Sequence, residues 1–410
     1  MNITLRLAWR NLWRHRRRTW LTTGAMVFSN VLLVFVITLQ LGTYRMMIDN
    51  TLGVLTGHIQ LQAPGYIDEP RMRYTVDDVR GAASELRGAL ADVQVAARAS
   101  AFALLSSAER SYGVQLVGVE PAREPGVSSI PGLLVSGRYL DDIDAAEIVI
   151  GAVLARNLQV GLGDRLTLLG SGLDGSFSAG VVEIVGLYAT GMSDIDRGLA
   201  ELPLGYFQDV FAMGDRGHSV VIKAASLDAV DALAATIATR FPDARRWAVH
   251  DWDALQPGLK QAIQADMFSA WFMYLVLVVL VAFSVLNTQL MSVMERTREF
   301  GIVLALGVTP GRLGRLVMLE TTLMSLLGLV LGVALGGAVA LWFGTVGFTY
   351  PGMEEMAGKF NIPERMYPRL DAFALLLGPA AVMAGCMLAG LIPALRLRQL
   401  EPVQAMRAAS

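Results

Sequence analysis

Four long apolar runs interrupt an otherwise mixed pattern of hydrophobic and polar positions: Trp20 to Thr43, Met267 to Met294, Thr321 to Leu341 and Ala372 to Leu395. None holds a Lys, Arg, Asp or Glu, and each is long enough to cross ~30 Å of hydrocarbon at ~20 helical residues. They predict transmembrane helices over 20–43, 267–293, 315–343 and 371–395. Between the first and second, residues 44–266 change to shorter periods. Runs at His58 to Gln62, Val114 to Val119, Val181 to Val185 and Ser219 to Lys223 predict strands. Leu227, Val230, Leu233, Ile237 and Phe241 recur at three or four residues and predict an amphipathic helix. Glu147 to Leu169 reads as strand, short helix, and a Gly161 to Asp164 turn into another strand. The expected fold class is an α-helical integral membrane protein with four transmembrane helices and a large α+β extracytoplasmic domain between the first two. That domain is large enough for two subdomains.

Composition agrees: 54% of the 410 residues are hydrophobic and 17% charged, more apolar than a soluble domain requires. The first run is too long for a signal-peptide core and no small-residue cleavage site follows it, so it is expected to be a retained anchor. Charge then sets the orientation. Six arginines precede the first span with no acid, and residues 294–316 and the C-terminal tail add seven more, against four carboxylates when Glu320 is included. Residues 44–266 carry 18 basic and 28 acidic side chains, so this stretch is the translocated side. Residues 1–19 become a cytoplasmic amphipathic helix, 294–314 a cytoplasmic helix and turn, 344–370 an external loop and 396–410 a cytoplasmic tail. Both termini are cytoplasmic.

The chemistry that would make this chain a catalyst is missing. A P-loop needs Lys followed by Ser or Thr, and Lys223, Lys260 and Lys359, the only lysines, have neither after them. The GLGD at 161–164 has no helix or lysine with it and reads as a turn. His15, His58, His218 and His250 are scattered, the single Cys386 rules out a disulfide within the chain, and paired acids such as Asp141 and Asp142 read as solvated. Inside the spans the strongest polar groups are Asn30, Gln40, Asn287 and Gln289, which suit hydrogen bonds between helices better than an ion path.

Two patterns remain. GLVLGVALGG places Gly328, Gly332 and Gly336 on one helical stripe, along which another helix can approach to backbone contact, within the subunit or across a dimer. The second is ERTREFGIVLALGVTPGRL, residues 295–313. Glu295, Arg296, Arg298 and Glu299 precede Phe300, Gly301, Ile302, Val303, Leu304 and Leu306. Gly307 suits a C-cap, and Thr309 with Pro310 suits the start of the next helix. A polar loop would have sufficed to join two spans, and a short bounded helix stands there instead. It can lie on lipid, or dock into a partner with its apolar half, Phe300 to Leu306, buried in protein. Glu320 is placed to pair with an Arg of the inner surface. The loop 344–370 holds Phe348, Tyr350, Met353, Met356 and Phe360, which read as an interfacial anchor or as a lip touching substrate or a partner.

ERTREFGIVLALGVTPGRL resembles the coupling segment of the FtsX/MacB-type permeases of ATP-binding-cassette transporters, the type VII or mechanotransmission class. LAWRNLWRHRRRTWLTTGAM, residues 7–26, is similar to that family's N-terminal helix and first span. IPALRLRQLEPVQAMR, residues 392–407, is similar to its C-terminal signature, and GAVLARNLQVGLGDRLTLLG, residues 151–170, to a segment of its periplasmic domain. The layout is nearest the lipoprotein-releasing LolC/LolE group. The resemblance implies a non-catalytic permease of the bacterial inner membrane, surrounded by lipid and paired with a second copy or a paralogue. Two copies of a separate ATPase would carry the ATP and Mg, and residues 295–307 would receive its movement. The work done would be extraction or translocation of a lipoprotein or another amphiphile, with a periplasmic chaperone or adaptor as a further partner and no nucleic acid. MacB-like efflux and FtsX-like regulation of a periplasmic enzyme are the alternatives.

Overall fold

The computed structural model describes residues 3–14, 16–240, 247–353 and 365–397. Its packing separates a membrane unit, Met1–Arg45, Ile263–Tyr350 and Arg365–Ser410, from an α+β unit, Met46–Ala262 and Pro351–Glu364.

Among the described residues six helices build the membrane unit: α1 (Ile3–Arg14), α2 (Arg16–Thr51), α10 (Pro257–Glu295), α11 (Thr297–Ala305), α12 (Pro310–Val346) and α13 (Ala372–Arg396). Four of them, α2, α10, α12 and α13, are long and apolar enough to cross a membrane. Several of their hydroxyls are satisfied within the helix, as where Thr38 and Thr321 donate four residues back to the Val34 and Val317 carbonyls, which suits hydrocarbon surroundings. Met26, Leu33 and Ile37 of α2 meet Val281 and Val285 of α10 and Val382 and Cys386 of α13.

The glycine stripe of α12 faces α2 of the same chain. Cβ atoms built at Gly328, Gly332 and Gly336 would stand 2.8, 2.3 and 2.9 Å from the Cβ atoms of Met26, Asn30 and Val34. The two helices thus touch along successive turns, and Asn30 Nδ2 donates to the Gly328 carbonyl at 3.0 Å. At the other end Phe348 packs its ring 5.5 Å from both Phe35 and Phe343, and the Arg369 N–H donates to the Thr38 carbonyl at 2.9 Å.

Among the described residues the α+β unit has ten strands: β1 (Ile59–Gln62), β2 (Val93–Ser106), β3 (Ser111–Val119), β4 (Leu134–Gly137), β5 (Glu147–Gly151), β6 (Arg165–Ser171), β7 (Phe177–Tyr188), β8 (Leu199–Pro203), β9 (Ser219–Ala224) and β10 (Ala248–Asp251). Their order is β10-β1-β9-β2-β3-β8-β5-β7-β4, and β6 pairs with both β2 and β7. Strands β2, β3, β8, β5, β7 and β6 therefore close into a ring. The remaining wing, β9-β1-β10, joins it through β2, whose first half, Val93 to Arg98, pairs with β9 and whose second half pairs with β3 and β6. Ring and wing share one strand and one apolar cluster, which holds Ile59, Val220 and Ile222 together with Leu116, Ile150 and Leu168. Helices α3 (Val79–Ala89), α5 (Ala152–Leu158), α7 (Leu204–Val210) and α8 (Val230–Arg240) contribute to that cluster.

The opposite strand face carries a second cluster with Val117, Val149 and Tyr188, and on it a set of buried charges. Arg98 and Glu124 are both fully enclosed and form a two-pronged ion pair, with Nε 3.2 Å from Oε2. A third Arg98 bond goes to the Leu55 carbonyl. That tie, with Ser128 Oγ donating to the Val54 carbonyl at 2.7 Å, holds the π-helical turn Leu52–Thr56 against the strands. Glu201 lies nearby without solvent contact. It accepts from the Tyr139 hydroxyl at 2.7 Å on one oxygen, and among the described residues its other oxygen has no partner.

Burial and the negative charge of Glu124 push the Glu201 carboxyl up to about 8, although Tyr139 and Arg98 oppose the shift. The folded form therefore keeps its proton where the unfolded chain, near 4.5, has lost it. Stability is fully present below about 4.5, falls by at most ~1.4 kcal/mol per pH unit as pH rises, and levels off above about 8. Glu201→Gln is expected to flatten this slope. The check is the thermal melting of the full chain at pH 5 and pH 8; identical slopes in both proteins would contradict it.

Candidate functional site

The segment between the second and third spans is a helix of its own. Helix α10 ends at Glu295, Arg296 turns the chain with φ −101° and ψ 11°, and α11 begins at Thr297. At its far end Gly307 takes a left-handed φ of 90°. The Val308 N–H reaches the Val303 carbonyl at 3.3 Å and the Gly307 N–H the Leu304 carbonyl at 3.0 Å, the paired bonds of a Schellman ending. Val303 and Val308 sit in the same apolar cluster, which completes the motif. Pro310 opens α12, and Thr309 caps it through its position, with no side-chain bond to the helix.

Helical periodicity divides the side chains of α11. Phe300 is 3% exposed and packs with Val293, Leu313, Val317 and Leu397, with Val303 and Leu304 alongside; Gly301 is buried too. The opposite face carries Arg298, Ile302, Ala305 and Leu306. Ile302 is 47% and Leu306 80% exposed. Within this chain Phe300 is covered, while Ile302 and Leu306 are left for another molecule to cover. At 100° per residue one short helix cannot turn both faces to the same neighbours, and only the Phe300 face meets the bundle.

The charges before the apolar half are engaged inside the chain. Arg18 pairs with Glu295 at 3.0 Å and Arg14 with Glu299 at 3.1 Å, so the acids that sequence offered to a partner already hold the arginines of α1 and α2. Arg296 stands 3.4 Å from Glu299 and 3.3 Å from Glu320, with its guanidinium carbon 4.9 Å from the Phe300 ring centroid. Asn11 Nδ2 donates to Glu320 Oε1 at 2.7 Å. These contacts differ in weight. The Arg14 pair is largely solvated and contributes ~0–1 kcal/mol, while Arg18 is partly buried beside Glu295. The Arg296 and Glu320 side chains are 13% and 8% exposed, and removing one strands the other at a cost of about 3–5 kcal/mol.

The remaining residues singled out by sequence lie elsewhere. Gly328, Gly332 and Gly336 are in the α2–α12 contact described above. Phe348 lies in the Phe35 and Phe343 stack, Tyr350 is partly exposed 6.5 Å from Phe348 between ring centroids, and Met353 is buried. Met356 and Phe360 fall outside the described residues. What sequence reasoning missed is that α1 and the start of α2 are bound to this site; Arg14 and Arg18, read only as an orientation signal, had Glu299 and Glu295 as visible complements.

Residues 271–402 match the family described as FtsX-like permease C-terminal, and residues 19–240 match the MacB-like periplasmic core domain. The lipoprotein-releasing system transmembrane protein LolC of Neisseria meningitidis is 24% identical over 321 residues, covering 74% of this chain and 75% of its own. The macrolide export ATP-binding/permease protein MacB 1/2 of Paracoccus denitrificans is 24% identical over 417 residues, 98% of this chain and 58% of its own. Among solved structures, the periplasmic region of MacB from Actinobacillus actinomycetemcomitans aligns over 52% of this chain and 97% of its own, at 16% identity and a TM-score of 0.37.

Proposed function

Because the chain belongs to the FtsX/MacB-like permeases of ATP-binding-cassette transporters, we propose that its α11 receives the movement of a separate ATPase and that the spans pass it to the α+β unit to displace an amphiphile. The observation that carries this reading is the free face of α11. Ile302 on this nine-residue helix and Leu306 at its C-cap are exposed beside Arg298, while Phe300 on the other side fixes the same helix to the bundle. A helix anchored on one face and apolar on the other is a lever with a handle.

The protein is a bacterial inner-membrane permease. In the proposed arrangement α1, α11 and the C-terminal tail are cytoplasmic, the α+β unit is periplasmic, and the working assembly has two ATPase subunits with a second permease copy or paralogue. ATP and Mg belong to the ATPase. A lipoprotein is the favoured cargo, from likeness to LolC over three quarters of each chain; a chaperone or adaptor would take it onward. Efflux is the second reading, favoured by the match to MacB over 98% of this chain.

Full-length tagged protein purified from its own cells is expected to bring down an ATPase whose hydrolysis rises when triacylated lipoprotein is supplied in vesicles. Ile302→Asp with Leu306→Asp should reduce the recovered ATPase at least tenfold without changing membrane insertion, whereas Glu299→Gln should leave it near wild type. Undiminished recovery with the double variant would remove α11 as the docking site.

A further inference from the structure

We propose that Glu320 is the positioning residue of the coupling helix and that, through it, α1 is a working part of the coupling surface rather than a passive anchor. The proposal rests on the reading of α11 given above and adds what sets its angle.

Glu320 lies three turns into α12, where a carboxylate is expensive, yet it is buried. Both its partners come from other helices. Asn11 belongs to α1, 309 positions away in sequence, and Arg296 is the residue that bends the chain between α10 and α11. The side chain of that hinge is thus gripped from two sides, by Glu320 on α12 and by the Phe300 ring on α11. Fixing Arg296 fixes the direction in which α11 leaves α10. Fixing Asn11 to the same carboxylate places α1 beside it, and the outer pairs Arg14–Glu299 and Arg18–Glu295 follow the same seam.

A polar cavity of about 30 Å³ opens next to this carboxylate, lined in part by Arg18, Gln289 and Ser292. It has room for about one water, and Arg18 Nη2, which has no other partner among the described residues, borders it. The clasp therefore has room for one water on the side of this cavity. It can yield without exposing a bare charge to lipid, as a joint that transmits repeated strokes must.

Hydrogen exchange of the full chain in lipid nanodiscs tests this without a partner. Glu320→Gln, which keeps the shape and removes the charge, should speed exchange in residues 3–14 and 297–305 together by at least tenfold and leave the α+β unit unchanged. Glu320→Asp, or the exchange Arg296→Glu with Glu320→Arg, should recover most of the protection. Unchanged exchange at both helices, or change confined to the turn around position 320, would overturn the proposal. In the complex recovered from cells, Glu320→Gln should retain the ATPase but lose at least fivefold of the substrate-stimulated hydrolysis; full stimulation would also overturn it. Failure of the wild type to recover any ATPase would sink the reading under Proposed function and leave the exchange result to decide the clasp.

Discussion

Replacing Gly332 with valine is expected to part the third span from the first and to destabilise the full chain by roughly 1–3 kcal/mol or more, the usual range for overpacking. A Cβ at this position would lie 2.3 Å from the Asn30 Cβ. The obstruction is the root of a side chain on a packed helix, so no rotamer change relieves it and the helices themselves must move. Moving them also lengthens the Asn30 bond to the Gly328 carbonyl, now 3.0 Å, and strands an amide where lipid offers no substitute. Gly337 provides the control. It is the next residue on α12, yet the nearest atom to its Cβ would be Leu375 Cδ2 at 3.6 Å, an ordinary contact. Gly337→Val should melt close to wild type in nanodiscs, and equal melting temperatures for the two variants would show that the stripe is not a packing surface.

Arg98→Met should be the most damaging single change in the α+β unit. The guanidinium there is held charged against its burial by Glu124, which keeps its pKa above the usual arginine value. Methionine leaves Glu124 enclosed without a countercharge and the Leu55 carbonyl without its donor, at a cost of about 3–5 kcal/mol. The pair Arg138–Glu147, whose arginine is exposed and whose glutamate is only partly covered, offers the comparison, since Arg138→Met should cost less, about 1 kcal/mol. Limited proteolysis of the full chain measures both. Arg98→Met should be cut in the strands and in Leu52–Thr56 at protease levels that spare Arg138→Met, and equal resistance would refute the assignment.

Much of this architecture was legible in sequence because it depends on local period. The spans follow from uninterrupted apolar runs, and Glu147 to Leu169 folds as β5, α5, turn and β6 because its pattern changes at each boundary. The Gly307 ending was readable for the same reason: a left-handed residue needs glycine at one position, and the bonds around it span six residues. The Arg98, Glu124 and Glu201 group was not legible. Its members are far apart in the chain, and a charge that ring closure will bury looks in sequence like one facing water. Asn11 with Glu320 is the extreme case, since nothing local in either residue points to the other. Ile302 and Leu306 are exposed within this chain, and apolar character announces that a residue will be covered without saying which molecule covers it.

The short strands at the limits of the α+β unit have a consequence for assembly. With the ring closed through β6, the open edges are β4 and β10, each of four residues. Strand β4 is interrupted by a register shift between Leu134 and Ser136 and ends in Gly137 at φ 82°, while β10 ends at Asp251, whose side chain caps the next helix. Neither offers a flat row of free amides long enough to recruit another strand. Crowded at a membrane surface, neighbouring copies are protected from fusing edge to edge into fibre-like stacks, and their periplasmic portions are left to meet and separate through side chains alone.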